Sequence, residues 1–474
     1  MNFLILINGA HNYKSFYYEI AKQLEKKGHK VYYAILSHRS LITEPLKEID
    51  NDPNTEFFDS YCYENRFKST DKYIFDCSWG EYLYADFDRF YNFNYNLKKD
   101  RSYWFEIRIA LDSFFNDIIN NKNIDIVLYE NISNTFAYAA YRCAKRNNKK
   151  YLGLMGGRIP NRYEIQSSII EEELNKISWY KSDSYSEEEE VWFNEYIKNI
   201  EYIQPDYMKN NILNKGTNFF DLLKISRFRK IVNYFKMINN KYYKYDFQFG
   251  HPMEMIVLRV CLHIKKFISQ RAAEKYYLND SLLSESMQKD DYYIYPIHYH
   301  PESSTSILAP NYTDEFYNIL NIHNSLPFGK FLYVKDHISS RGVQSELFYK
   351  KIAALPGVKI ISWNKNVKEL IKYSKGVITV NSTVGYEAAI MNKKVFLLGR
   401  VFYENFANVI KVSNFLELKE SLTKDYPVES IKSDLISYYR YTFSGTFYFN
   451  DKNLWSEKYF ENIAMNIISQ GHEQ

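Results

Sequence analysis

Residues 376–398 read Gly376-Val377-Ile378-Thr379-Val380-Asn381-Ser382-Thr383-Val384-Gly385-Tyr386-Glu387-Ala388-Ala389-Ile390-Met391-Asn392-Lys393-Lys394-Val395-Phe396-Leu397-Leu398. A β-branched apolar run ends at Val380, a polar turn follows, and Thr383 to Met391 has the spacing of a helix with hydroxyl residues at its cap. Lys394 to Leu398 is a second apolar run. Strand, helix and strand in that order make a parallel crossover unit. The same rhythm repeats on its N-terminal side. Tyr292 to Ile297, Phe331 to Lys335 and Val358 to Ser362 read as strands, with helices predicted over Thr313–Asn324, Gln344–Ala354 and Val367–Tyr373. Five strands with four interleaved helices predict a doubly wound domain over residues 286–415.

The N-terminal part follows the same grammar. Asn2 to Ile7 reads as a buried strand, Tyr13 to Lys27 as a helix stopped by Gly28, and Lys30 to Leu36 as the next strand. Ile124 to Tyr129, Thr135 to Arg146 and Tyr151 to Met155 repeat strand, helix and strand, which places a second α/β domain at residues 1–165. Residues 166–285 have a helical texture with little strand signal, and the tail at 416–474 is mostly helical. The expected fold is therefore α/β, with two doubly wound, Rossmann-like domains, a helical insertion and a helical C-terminal tail.

Composition narrows the function. The 474 residues carry Lys+Arg 61 against Asp+Glu 57, a net charge of +4 that gives no support to a nucleic-acid-binding protein. Residues of the AVILMFWYC set make up 46% and charged residues 25%, which argues for a folded chain. Cys62, Cys77, Cys143 and Cys261 are scattered, as free thiols in a reducing compartment would be. The start lacks a basic n-region, and no run approaches the ~18 apolar residues of a membrane span, so a cytoplasmic protein is expected. The aromatic share of 18% could line a site for sugar rings, but a coding bias toward Tyr, Phe, Asn, Lys and Ile explains it more simply. No GxxxxGK[ST] and no GxGxxG follows the first strand, which disfavours P-loop and standard dinucleotide enzymes. Lys224, Arg227, Arg229, Lys230, Lys236, Lys241 and Lys244 form a basic, aromatic-rich run without an acidic residue. It suits peripheral contact with an anionic membrane, or a solvated basic face.

Three strand ends in the C-terminal domain carry candidate chemistry. After Val380, the helix N-terminus offers free N–H groups and a positive dipole end to a phosphate, with Ser382 and Thr383 as hydroxyl donors. Gly385 would let a ligand approach, and Glu387, one turn into the helix, could accept ribose hydroxyls; an ordinary helix cap explains the same residues. Tyr333-Val334-Lys335-Asp336-His337 places Lys335 and His337 at a second strand end, suited to neutralising nucleotide phosphates. Tyr295-Pro296-Ile297-His298-Tyr299-His300-Pro301-Glu302 ends the third, with His298 and Glu302 as candidate catalytic groups. No third or fourth metal ligand can be placed there, so neither a metal nor another cofactor is expected. Together the three ends favour a nucleotide or nucleotide-sugar site.

The runs YPIHYHPESST, YVKDH and VITVNSTVGYEAAIMNKKVFLLG resemble the capsule polysaccharide biosynthesis family of bacterial glycosyltransferases, over about residues 290–405. LYENISNT and GRIPNRYEI in the N-terminal domain also look like members of this group. The resemblance implies a two-domain glycosyltransferase of the B fold, building surface polysaccharide from a CMP-, UDP- or GDP-linked donor. It assigns His337 to the donor phosphate, Ser382 and Thr383 to phosphate or a sugar carboxylate, and Glu387 to ribose. The sequence departs at Ile338, where the family's Lys-x-His-Pro element has Pro, and this weakens the case for a CMP donor in particular.

An inverting transfer needs a base for the acceptor hydroxyl. Glu130 and His11, each just after a strand of the N-terminal domain, are the candidates, with Asn131 and Arg158 as acceptor-binding residues. The acceptor implied is a saccharide or lipid-linked saccharide. The alternatives are a nucleotide-sugar 2-epimerase-like enzyme and a non-catalytic polysaccharide assembly component.

Overall fold

The first apolar run forms strand β1 (Asn2–Ile7), whose side chains from Phe3 to Ile7 are all fully buried. Runs this apolar on both faces belong inside a parallel sheet covered by helices. In the computed structural model, residues 1–9, 12–65, 77–83, 86, 99–206, 225–238, 240–300, 302–449 and 451–473 are described. They divide into two units: residues 1–169, 220–261 and 442–474 make the first, and residues 170–219 and 262–441 the second.

In the first unit, β2 (Lys30–Ile35), β3 (Thr55–Phe57), β4 (Ile126–Glu130) and β5 (Lys150–Gly156) run parallel to β1. β6 (Arg162–Gln166) runs antiparallel to β5 and β13 (Phe443–Ser444) antiparallel to β6, in the order β13-β6-β5-β4-β1-β2-β3. The helix Thr135–Arg146 follows β4 because Asn134 caps it, accepting from the Ala137 N–H at 3.0 Å. The final helix, Glu457–His472, packs on Tyr13–Lys26, and Lys27 meets Glu461 at 2.9 Å.

In the second unit, six parallel strands alternate with helices. They are β7 (Tyr292–Pro296), β8 (Phe331–Lys335), β9 (Val358–Ile361), β10 (Gly376–Thr379), β11 (Lys394–Leu397) and β12 (Val409–Lys411). Their spatial order is β12-β11-β10-β7-β8-β9. The chain winds from β7 outward to β9, then returns to β10 and winds outward the other way. The crevice between β7 and β10 is therefore the topological switch point of this sheet. The crossover helices Glu315–Ser325, Glu346–Ala353, Val367–Tyr373 and Thr383–Ile390 each have a side-chain cap: Asp314 on the Tyr317 N–H, Ser345 on Phe348, Asn366 on Lys368 and Ser382 on Val384. Because Asp314 takes the cap, the helix expected from Thr313 begins at Glu315 and Thr313 stays outside it. Gly357, at φ 75°, makes the left-handed turn into β9. Ile294, Val377 and Ile378 are fully buried, each worth about 1.5–3 kcal/mol of apolar transfer.

The doubly wound reading thus holds in both units, with a sixth strand, β12, beyond the five read in the C-terminal domain. The described residues between 166 and 285 include helices Glu171–Trp179, Glu187–Lys198, Ile225–Met237, Pro252–Ala273 and Asp280–Lys289. Within the second unit Glu187–Lys198 packs on Lys432–Tyr441, where Arg440 forks onto Glu189 at 2.6 and 2.7 Å. No described helix is long and apolar enough to cross a membrane.

Candidate functional site

The three strand ends singled out in the sequence lie on adjacent central strands, β10, β7 and β8. Parallel strands align their C-terminal ends, so the three polar loops meet at one edge of the second unit's sheet. His298 ties two of them together. Its Nε2 accepts from the Asn381 N–H at 3.3 Å and lies 3.3 Å from Thr379 Oγ1, while its Nδ1 lies 3.2 Å from Glu315 Oε1. Accepting at Nε2 fixes the Nδ1–H tautomer and spends both ring nitrogens on bracing the switch crevice.

Glu315 organises this brace, and the sequence reading missed it. Its Oε2 accepts from the Tyr295 hydroxyl at 2.8 Å. Its Oε1 accepts from the His298 N–H at 3.1 Å and lies 3.1 Å from His300 Nε2. Burial alone would raise this carboxyl, but its electrostatic and hydrogen-bond interactions with His298 and His300 hold it at about 2. The signal available was an acid at the start of the helix after β7, which reads equally well as a helix-dipole partner.

Ser382 caps the helix Thr383–Ile390 through the Val384 N–H at 3.2 Å, and the Thr383 N–H is among the donors that helix geometry leaves unmet. Beside it Asn381 is only 5% exposed; its amide nitrogen donates to the Ser304 carbonyl, and its Oδ1 has no partner among the described residues. An orphaned buried acceptor costs about 1–3 kcal/mol, which a ligand hydroxyl or N–H would offset. Gly385 serves packing: a Cβ there would overlap the Tyr403 hydroxyl, which itself donates to the Ser382 carbonyl. Glu387 is half-buried, pushed up by desolvation, and ion-paired with Lys368 at 3.4 Å.

At the end of β8, Lys335 is buried and donates to the carbonyls of Asp336 at 2.8 Å and Trp363 at 2.9 Å. Burial lowers it to about 8, so the ammonium remains the main form at pH 7. Asp336 is raised by burial despite accepting from the Tyr277 and Tyr349 hydroxyls at 2.6 and 2.8 Å. His337 is half-buried, stacks on Tyr299 with centroids 6.4 Å apart, and accepts from the Ser339 N–H at Nδ1, 3.1 Å away. Burial, then the neighbouring Lys335 and His298, lower it to about 4. At neutral pH it is an uncharged imidazole whose Nε2–H is the donor. Ile338 starts the short 3-10 turn Ile338–Ser340, a first-turn position that also accepts Pro. Glu302 is exposed and its carbonyl accepts from Thr305 and Ser306 hydroxyls at 3.1 and 2.8 Å.

In the first unit, Glu130 ends β4 with Oε2 taken by the Tyr13 hydroxyl and Oε1 by Ser133 Oγ at 2.5 Å. Asn131 is half-buried beside it, and Arg158 is half-buried in the turn between β5 and β6. His11 and Lys224 lie outside the described residues.

A model of the family described as capsule polysaccharide biosynthesis protein matches residues 194–407. That match begins well before the motifs, within Glu187–Lys198, and covers β7 to β11. Comparison with curated proteins found no match. Among solved structures, the chain is similar to a beta Kdo 2,4 transferase, KpsC of Thermosulfurimonas dismutans. The two share 13% identity over 67% of this chain and 80% of that one, with a TM-score of 0.36. It is also similar to the beta Kdo 2,7 transferase of the same KpsC, at 12% identity over 72% and 87% with a TM-score of 0.32. A UDP-GlcNAc 2-epimerase from Methanocaldococcus jannaschii matches at 13% identity over 99% and 100%, with a TM-score of 0.26. Over residues 194–407, which hold all three strand ends, this chain carries the sequence pattern of the capsule polysaccharide biosynthesis family, and the resemblance read from its motifs holds.

Proposed function

We propose that this protein is a glycosyltransferase of capsule or related surface-polysaccharide synthesis, moving a sugar from a nucleotide-sugar donor to a saccharide or lipid-linked acceptor. One observation carries the donor side of this reading. At the switch point of the second unit, the buried and unpartnered Asn381 Oδ1 sits beside the capped N-terminus of Thr383–Ile390. Open α/β sheets bind ligands at this place, and a helix N-terminus favours a phosphate. A nucleotide sugar supplies both complements: phosphate for the Thr383 N–H and hydroxyls, and a hydroxyl or N–H for Asn381 Oδ1.

In this reading Ser382, Thr383 and the Nε2–H of His337 hydrogen-bond the departing phosphate. Lys335 adds positive charge from behind the strand end, held there by its two carbonyl contacts. These donors are fixed before the reaction begins, so little reorganisation is needed as charge builds on the leaving group. Glu315 and His298 keep the β7 and β10 loops in register, which makes them positioning residues. Contact of the basic run with an anionic membrane remains a separate proposal, tested below.

A thermal-shift screen of CMP-, UDP-, GDP- and dTDP-sugars tests the donor reading, since a ligand that binds the native state raises its melting temperature. At a concentration 100 times Kd, one donor class should stabilise the protein by about 2.7 kcal/mol. No shift with any of the four would overturn the reading.

A further inference from the structure

His38 follows the end of β2 by three residues, at the C-terminal edge of the first unit's parallel sheet. Its Nδ1 lies 2.6 Å from Asp59 Oδ1, and its own backbone N–H donates to Asp59 Oδ2 at 2.7 Å. Two contacts from one residue to one carboxylate fix both the position and the rotation of the imidazole. The ring stacks on Phe57 at 4.2 Å and on Tyr242 at 4.5 Å, each 26° from parallel. Two rings at these distances cannot share one face, so both faces of the imidazole are covered. Nδ1 is engaged as well, yet the side chain keeps 20% of its exposure. The ring edge left uncovered by these contacts carries Cε1, Nε2 and Cδ2.

Asp59 is 1% exposed and its carboxyl is raised by burial, against the pull of His38. A buried carboxylate on Nδ1 sets the tautomer with the proton on Nδ1, leaves the Nε2 lone pair outward and stabilises the imidazolium once Nε2 takes a proton. Tyr242 also belongs to a half-exposed aromatic group with Tyr63 and Tyr245, at 5.4 and 6.4 Å from Tyr63, and Lys241 and Lys244 lie over these rings. Flat aromatic faces beside a proton acceptor suit a sugar hydroxyl as the proton's source.

We propose that His38 is the catalytic base of the first unit, positioned by Asp59; this rests on the glycosyltransferase reading. The acceptor hydroxyl gives its proton to Nε2 as its oxygen bonds to the sugar's anomeric carbon. The bond from that carbon to the donor's phosphate oxygen breaks, and its electron pair leaves with the nucleotide. The imidazolium then returns its proton to water.

Two experiments separate the dyad from the wider reading. The first needs no substrate: brief diethyl pyrocarbonate treatment of the full-length protein, with peptide mapping, acylates unprotonated and accessible imidazole nitrogens. His38 should be modified ahead of the other histidines. An unlabelled His38 in the native protein overturns the proposal whether or not the protein transfers sugar. The second measures nucleotide release from the donor selected by thermal shift, with monosaccharide acceptors. His38→Gln should lose 100-fold or more in kcat, in the range of a lost general base, while the donor-induced melting shift is kept. Added imidazole should restore part of the rate to His38→Ala, and Asp59→Asn should lower kcat while KM and the donor-induced melting shift are kept. A wild-type rate in His38→Gln refutes the base and leaves the donor site standing; loss of the donor shift in the wild type refutes the glycosyltransferase reading instead.

Discussion

Replacing Glu315 by Gln removes the charge at the centre of the switch-point brace while keeping its shape. The carboxyl sits at about 2 in the folded protein, below the ordinary Glu value of 4.5, although it is buried. A depressed carboxyl contributes stability above its unfolded value and loses it as pH falls toward the folded one. The difference corresponds to roughly 3 kcal/mol at pH 5.5, falling to about 2 kcal/mol at pH 3.5. Since ~1 kcal/mol moves the melting point of a 150–250-residue unit by about 2–4 °C, Glu315→Gln should melt about 6–12 °C lower at pH 5.5. The gap between wild type and variant should then shrink by at least about a third at pH 3.5, because the carboxyl of the unfolded wild-type chain is protonated there while the folded one stays ionised. Differential scanning calorimetry of both proteins at the two pH values reads this directly. A gap that is equal at both pH values, or absent at pH 5.5, would show that Glu315 does not carry the charge this brace requires.

Ser382 offers a sharper test of anion binding than its removal would. Ser382→Asp keeps a competent N-cap, so the melting point should hold within a few degrees, but its charge should repel phosphate and abolish the donor-induced thermal shift; a retained shift would move the phosphate elsewhere. Gly385→Ala should destabilise the second unit by about 1–3 kcal/mol through overlap with the Tyr403 hydroxyl, and Gly385→Ala with Tyr403→Phe should recover part of it by denaturation. On the helix Ile225–Met237, Phe228, Val232 and Phe235 are exposed at helical spacing, beside the exposed Lys236. If that run docks on membranes, reversing charge at Arg227, Arg229 and Lys230 should cut co-sedimentation with anionic phosphatidylglycerol vesicles; unchanged sedimentation would refute the docking.

The crossover pattern was legible because local rules agree with the global fold. Val367–Tyr373 and Phe331–Lys335 form over the residues that periodicity and flanking caps mark, and Asn366 supplies the cap side chain. The additions came from pairings that local sequence does not encode. β13 exists only because Phe443 and Ser444 reach Tyr163 and Arg162, which lie far away in the chain. β12 is a three-residue edge strand whose partner is β11. The same limit governs the site. Ser382, Thr383, His337 and His298 sit at strand ends and could be read from position alone. Glu315 acts through a fold of the chain back onto His298, and Asp59 reaches His38 from a different element. Gly385 and Glu387 show the converse. Their types suited a ligand, but neighbouring side chains, Tyr403 and Lys368, take up the room and the charge.

Mass spectrometry of the products reads sugar transfer itself. The donor selected by thermal shift is incubated with purified protein, with and without a saccharide acceptor. A glycosyltransferase gives an acceptor heavier by one sugar residue, with free nucleotide released in equal amount and only when acceptor is present. An epimerised sugar formed without acceptor would mark an epimerase, unchanged donor in both mixtures an assembly component, and either result would contradict the account.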